Sequence, residues 1–388
     1  MPILDRAAAL QAEATQWRRD FHAHPELQYD VHRTAGIVAD KLRAFGCDEV
    51  VTGIGRTGVV GVIRGRKSSS GKVIGLRADM DALPIEEETN LPHRSTVPGK
   101  MHACGHDGHT AMLLGAARYL TETRDFDGTA VVIFQPAEEG GAGALAMVKD
   151  GLMDRFAIQE VYGMHNRPGL PVGHFEMCPG PIMAAADRIH IVVEGKGGHA
   201  AQPHNTVDTI LVTAQIVSQL QAIVARNVDP LDSAVVSITL FQAGFTDNVI
   251  PQRAELRGTA RTFKPDVQDL VEQRIRRIAE GTAAMHGATA QVTYSRDYPV
   301  TVNHAAPTSF AGEIARSVSG TQAVNPNAIP VMGGEDFAFM LKERPGAIVF
   351  VGNGDSARLH HPAYDFNDAV IPAGISYWAR LVETAMPA

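Results

Sequence analysis

Four times along this chain a strand-length apolar run stops and side chains suited to metal binding or proton transfer follow almost at once. Val73 to Leu76 runs into Arg77-Ala78-Asp79-Met80-Asp81, and Ala130 to Phe134 runs into Gln135-Pro136-Ala137-Glu138-Glu139. Val161 to Met164 runs into His165-Asn166, and Ala347 to Val351 leads, past a Gly-rich turn, to His360-His361-Pro362. Continuous apolar runs, as opposed to alternating ones, belong to strands covered on both faces. Helical patterns separate them, so the sequence predicts an α/β fold with a mixed or largely parallel sheet flanked by helices. In such sheets ligands gather beyond the carboxyl ends of the strands. Residues far apart in sequence are therefore expected to converge.

The point of convergence is Met101-His102-Ala103-Cys104-Gly105-His106-Asp107-Gly108-His109-Thr110, a thiol and three imidazoles in one short stretch. It runs into an Ala- and Leu-rich segment ending near Leu120, and is read as a ligand-bearing loop feeding a helix. Earlier, helical spacing covers about Leu4 to Phe21, with Arg18, Arg19 and Asp20 read as its charged side. The turn His22-Ala23-His24-Pro25-Glu26 ends it, because the residue before proline is pushed out of the helical region. A second helix is expected over about Thr34 to Phe45, closed by Gly46. The basic, Ser-rich stretch Arg64 to Gly71 is read as a solvated hairpin tip between two strands.

From about Ala185 the pattern changes. Asp187 to Glu194 alternates polar and apolar as a half-exposed strand does. Helices over about Val207 to Val224 and Asp266 to His286, with further strands near 234–240, 254–261 and 290–294, complete a β-α-β-β-α-β unit. Candidate ligands lie on both sides of it. The expected organisation is therefore a discontinuous metal-binding domain, residues 1–184 and 297–388, interrupted by an inserted domain, residues 185–296.

Bulk properties exclude several classes. A net charge of −8 argues against nucleic acid or an anionic membrane as the partner. No apolar run is long enough to span a bilayer, and the N-terminus lacks the basic and apolar regions of a signal peptide. Three cysteines are too few for a disulfide framework, which suggests reduced thiols and a cytoplasmic location.

The residue types then bound the chemistry. In Glu138-Glu139 one carboxylate can bind an ion while its neighbour serves as general base toward the attacking water. Cys104 and His106 offer a thiolate and an imidazole at a helix mouth. His165 stands at a strand end, and of His360 and His361 at most one points at any given site. His102 and His109 are expected to be supporting or surface residues. Asp79 and Asp81, on one face if the strand persists, include a candidate for orienting a ligating imidazole. Cys104 as a covalent nucleophile is the rival chemistry, but the surplus of carboxylates and imidazoles favours metal ligation. No Gly-x-Ser-x-Gly elbow, phosphate loop or His-Glu-x-x-His motif occurs.

Taken together, Arg18 to Leu27, Arg77 to Pro84, Met101 to His109, Phe134 to Glu139, Gly163-Met164-His165 and Leu359 to Pro362 resemble the M20 metallopeptidase family. The resemblance covers nearly the whole chain. It is nearest the amidohydrolases that cleave N-acylated amino acids, such as hippurate hydrolases, aminoacylases, N-acetyldiaminopimelate deacetylases and auxin-conjugate hydrolases. It implies two divalent ions of zinc, manganese, cobalt or nickel. Cys104 would bridge them, with His106 and His165 on one ion and Glu139 and His360 on the other. Glu138 would be the general base, and Asp81 would support a ligating histidine, a place taken here by His106. The inserted domain resembles the family's lid or dimerisation domain, implying a homodimer or homotetramer. There His199 matches the histidine that polarises the scissile carbonyl, Asn248 a substrate-contacting asparagine, and Arg261 an arginine that would hold the substrate carboxylate. The implied reaction is hydrolysis of N-acyl-amino acids. Dipeptide or carboxypeptidase cleavage is the alternative within the same chemistry, and a non-catalytic metal- or ligand-binding relative the alternative outside it.

Overall fold

The computed structural model describes residues 3–388, which form two compact units. The first comprises the chain up to Ile182 together with Val302–Ile329 and Asp336–Ala388; the second comprises Met183–Thr301 and Pro330–Glu335.

The first unit opens with helices α1 (Asp5–Ala23) and α2 (His32–Phe45), the latter closed by Gly46 in the left-handed region at φ 86°. Strands β1 (Glu49–Ile54), β2 (Gly58–Arg64), β3 (Val73–Asp79), β4 (Thr129–Gln135) and β5 (Glu160–Pro168) then build most of an eight-stranded sheet. Its order is β1, β2, β4, β3, β5, then Gly346–Gly354, Phe175–Glu176 and Val324–Asn325. The four middle strands β4, β3, β5 and Gly346–Gly354 run parallel. Their residues are almost all buried, which explains the continuous apolar runs. Helix α3 (His106–Thr123) packs against α1 and the helix Ile371–Ala385, and is itself buried on nearly every side along its first three turns. Helix α4 (Gly143–Lys149) follows β4.

Two expectations fail here for tertiary reasons. Residues 64–71 are not a hairpin tip, because β4 lies between β2 and β3, pairing antiparallel with one and parallel with the other. The segment is a crossover docked on the turn before β4, with Gly65 N donating to Gly128 O (3.0 Å) and Ser70 N to the Asp127 carboxylate (3.1 Å). Arg18 does not share a charged face with Arg19 and Asp20. It is fully buried, its Nε 2.8 Å from Asp107 Oδ2 and its Nη2 bonded to Asp365.

In the second unit an antiparallel sheet has the order Ala234–Ala243, Arg253–Thr262, Ala185–Glu194, Thr289–Tyr298. Alternate residues of Ala185–Glu194 are buried under the helices Thr209–Leu220 and Pro265–Met285, as period-two patterning requires. Asp208 caps the first of these helices, its side chain accepting from the backbone N–H groups of Ile210 and Leu211.

Candidate metal centre

The ends of β3 and β4, the later half of β5, the segment that follows Gly346–Gly354 and one helix mouth meet in the first unit. Gly105 turns the chain at φ 90°, so that Cys104 precedes and His106 begins α3. A side chain at Gly105 would collide with Asn166 Oδ1 and stand 2.7 Å from the Tyr364 hydroxyl, so this turn accepts only glycine. The ligand-type atoms of Cys104, His106 and His165 all lie within 4.8 Å of one another, and so do those of Cys104, Glu139 and His360. Cys104 is common to both sets. Glu138 joins a third with His106 and Glu139.

The imidazoles are aimed by backbone. His106 Nδ1 donates to the carbonyl oxygen of Asp81 (2.8 Å), which leaves Nε2 buried and without a hydrogen-bond partner among the described residues. His165 Nδ1 donates to the carbonyl of Asn166 (2.8 Å), leaving Nε2 3.4 Å from Cys104 Sγ. Tying one ring nitrogen in this way fixes the tautomer and presents the other as a ligand. His360 is held at φ 64°, a strained conformation for a non-glycine residue, and its N–H donates to Ala103 O (2.8 Å) beside the thiol. Its Nε2 stands 3.2 Å from Glu139 Oε1.

The electrostatics ask for a cation. Burial, then the charges of Glu139, Glu138 and Asp79, push the Cys104 thiol well above its ordinary range. Burial opposes a charge on His106, yet Asp79, then Asp81 and Glu139, raise it to about 10. Burial lowers His165 to about 3, helped by its histidine neighbours, so it stands as a neutral donor. A thiol that cannot ionise alone, an orphaned imidazole nitrogen and surplus carboxylate charge fit a divalent cation, whose charge reverses each of these penalties. Cysteine, histidine and glutamate suit zinc and its neighbours in the first transition row.

Asp81 meets His106 with its main chain as well as with its carboxylate, which also raises the imidazole's pKa. The strand ends at Asp79, so Asp79 and Asp81 are not successive residues of one strand face. The Asp81 carboxylate accepts the backbone N–H of Glu138 (2.9 Å) and of Glu139 (3.1 Å), and stands 3.6 Å from His106 Nδ1, which bonds instead to the Asp81 main chain. Asp79 takes His109 Nδ1 (2.6 Å), and His109 Nε2 lies 2.8 Å from Asn166 Oδ1. His102 and His109 are both buried, which removes the surface reading for each.

Behind α3 lies a network that residue-type reasoning missed. Asp107, beside His106, meets Arg18 Nε and His22 Nδ1 at 2.8 Å each; His22 Nε2 lies 3.3 Å from Glu87 Oε1, and Arg18 also reaches Asp365. The one available signal was the spacing of Arg18 and His22, four apart and so on one helix face.

In the second unit, strand Val249–Ile250 pairs with Gly198–His199, and Ala200 N donates to Asn248 O (3.0 Å), which sets His199 and Asn248 side by side. Ala201 N donates to His199 Nδ1 (3.0 Å), so the neutral ring carries its proton on Nε2. Arg261 is half-buried, lowered in pKa by that burial, and makes no ion pair or side-chain hydrogen bond among the described residues.

Fold and site define a class: an α/β protein with a candidate two-ion metal centre gathered toward the carboxyl ends of its parallel strands. Residues 75–384 match the profile of peptidase family M20/M25/M40, and the chain belongs to that family. It is 42% identical over 378 residues to an N-acetylcysteine deacetylase of Bacillus subtilis, covering 96% of this chain and 97% of that one. It is 42% identical over 381 residues to a hippurate hydrolase of Campylobacter jejuni, covering 98% of each. A thermostable carboxypeptidase of Saccharolobus solfataricus is 43% identical over 342 residues, 87% of this chain and 85% of the relative. The crystal structure of a dinuclear metal binding peptidase of the M20 family from Bacillus subtilis superposes with a TM-score of 0.83 at 38% identity, covering 98% of this chain and 99% of that one. No helix among the described residues is long and apolar enough to cross a membrane.

Proposed function

We propose that this enzyme hydrolyses the amide bond of N-acyl-amino acids, of the hippurate or N-acetyl type, releasing a carboxylic acid and a free amino acid. The observation that carries the reading is the sharing of Cys104 by two three-ligand sets, with Glu138 beside them. Cys104, His106 and His165 would hold one divalent ion, and Cys104, Glu139 and His360 the other. Two such ions would polarise the amide carbonyl and make water a nucleophile at neutral pH.

The protein's own groups do the rest. Asp81 grips the Glu138-Glu139 backbone, so the base and its ligating neighbour move as one piece. Glu138 takes the proton of the attacking water and returns it to the leaving nitrogen. His199, protonated on Nε2, is a ready donor to the developing oxyanion, and Asn248 beside it a substrate contact. Arg261, half-buried and in no ion pair among the described residues, suits the substrate carboxylate.

The second unit is proposed to join two copies of the chain. The strand Ala234–Ala243 is a sheet edge, and Ile210, Leu211, Leu240 and Phe241 are exposed apolar residues on it and the adjacent helix. Cytoplasmic residence belongs to the same reading, in keeping with three free cysteines. Carboxypeptidase or dipeptidase action is the second reading, favoured by the likeness to the Saccharolobus enzyme.

The test is a panel of hippurate, N-acetyl-amino acids and dipeptides, read by free amino groups after chelation and reloading with zinc, manganese, cobalt or nickel. Preference for dipeptides over every acyl-amino acid would overturn the first reading. Glu138→Gln should keep its metal and lose at least about 100-fold in turnover, whereas Glu139→Ala should lower the metal content itself.

A further inference from the structure

Arg77, at the end of β3, is fully buried and has no part in the chemistry assigned above. Its Nε donates to Gln135 Oε1 (2.8 Å), its Nη1 to Asp79 Oδ2 (2.8 Å) and its Nη2 to Asp336 Oδ1 (3.1 Å). Asp336 Oδ1 also accepts Gln135 Nε2 (2.7 Å), and Asp336 Oδ2 accepts the backbone N–H of Ala144 (2.9 Å). Donors from β3, from β4 and from the start of α4 thus close on one buried carboxylate. Charge-assisted bonds of this kind are strong and directional, so the backbone at residue 336 has little freedom. That backbone N–H points at Glu138 Oε1, 3.4 Å away.

We propose that Asp336, clamped by Arg77 and Gln135, is a positioning residue for Glu138. The clamp does not touch substrate; it fixes an amide N–H against one oxygen of the base and so sets the orientation in which the carboxylate meets the attacking water. Contacts of this type tighten when substrate is bound. Misplacing a base by a fraction of an ångström costs rate, not affinity. The inference rests on the reading of Glu138 as general base.

Asp336→Asn keeps the side chain's shape but turns one accepting oxygen into a donor facing donors. The expected result is a fall in kcat on the order of 10-fold, with KM within about 2-fold and with metal content unchanged by elemental analysis. The deciding measurement is a double-mutant cycle with Glu138→Gln. A residue acting through Glu138 has nothing left to position there, so Asp336→Asn should change the residual turnover by less than about 2-fold. A full repeat of the loss in that background, a KM effect with kcat preserved, or wild-type turnover in Asp336→Asn would each overturn the positioning role. Near wild-type activity in Glu138→Gln alone would instead sink the base assignment. If Asp336→Asn does not fold, Gln135→Met, which removes one donor to Asp336, goes through the same cycle with the same outcomes.

Discussion

His22 links helix α1 to the helix that begins at His106, and its proton should make the stability of the first unit depend on pH. Burial disfavours the charged ring, but hydrogen bonds to Asp107 and Glu87 and the Asp107 charge outweigh it, raising His22 to about 9 against an ordinary 6.5. The sign follows. Below pH 6.5 the folded and unfolded chains both hold the proton, and the stabilisation is fully present. Between 6.5 and about 9 the unfolded chain has lost it while the folded one keeps it, so stability falls as pH rises; above that range the contribution is gone. At about 1.4 kcal/mol per pH unit the difference is worth roughly 3 kcal/mol. The comparison protein is His22→Gln, which keeps a donor and loses the titration. The chain's two tryptophans, Trp17 and Trp378, are both buried in the first unit, so their fluorescence during urea unfolding reports that unit alone. With metal held at one saturating concentration, the wild-type protein should lose roughly 3 kcal/mol more than the variant between pH 6 and about 9.5. Parallel pH profiles for the two proteins would refute the claim that Asp107 and Glu87 hold a charged imidazole.

Gly105→Ala should strain the turn by about 1 kcal/mol and displace Asn166 or Tyr364. Because Cys104 and His106 flank it, the readout is the metal-to-protein ratio, and full occupancy would count against the geometry. Leu211→Glu, at an exposed position on the proposed contact face, should turn a dimer into a monomer in sedimentation without altering the unfolding of the first unit.

Local pattern carried some features and tertiary context others. The strand ends that supply Asp79 and Glu138 were legible, because a strand buried on both faces reads as a continuous apolar run and stops near the polar residues that follow; His165 lies inside β5, which runs on to Pro168 because its backbone still pairs with Gly346–Gly354. The position of residues 64–71 was not legible, because the strand that separates β2 from β3 begins only at Thr129 and no property of the loop announces it. Arg18 was misplaced for a related reason. Adjacency in sequence grouped it with Arg19 and Asp20, although helix neighbours one and two apart do not share a face, and Asp107 and Asp365, remote in sequence, draw it inward. Asp81 was recognised as important, but its partners depend on where β3 stops, and a strand boundary is the least certain feature of any pattern. The Arg77–Asp336 pair joins residues on opposite sides of the second unit's sequence, beyond the reach of any local rule.

The pairing of β5 bears on how the protein is made. On one side β5 meets β3, and on the other it meets Gly346–Gly354. A ribosome therefore releases Val161, Tyr162 and Met164 long before the strand that will cover them exists. In that interval β5 is a bare apolar edge, of the kind that recruits foreign strands and engages chaperones. The same wait governs His360, which lies beyond that late strand. The nascent chain has Cys104, His106, Glu139 and His165 in hand before His360, so the geometry described here is completed only after the strand Gly346–Gly354 has been made.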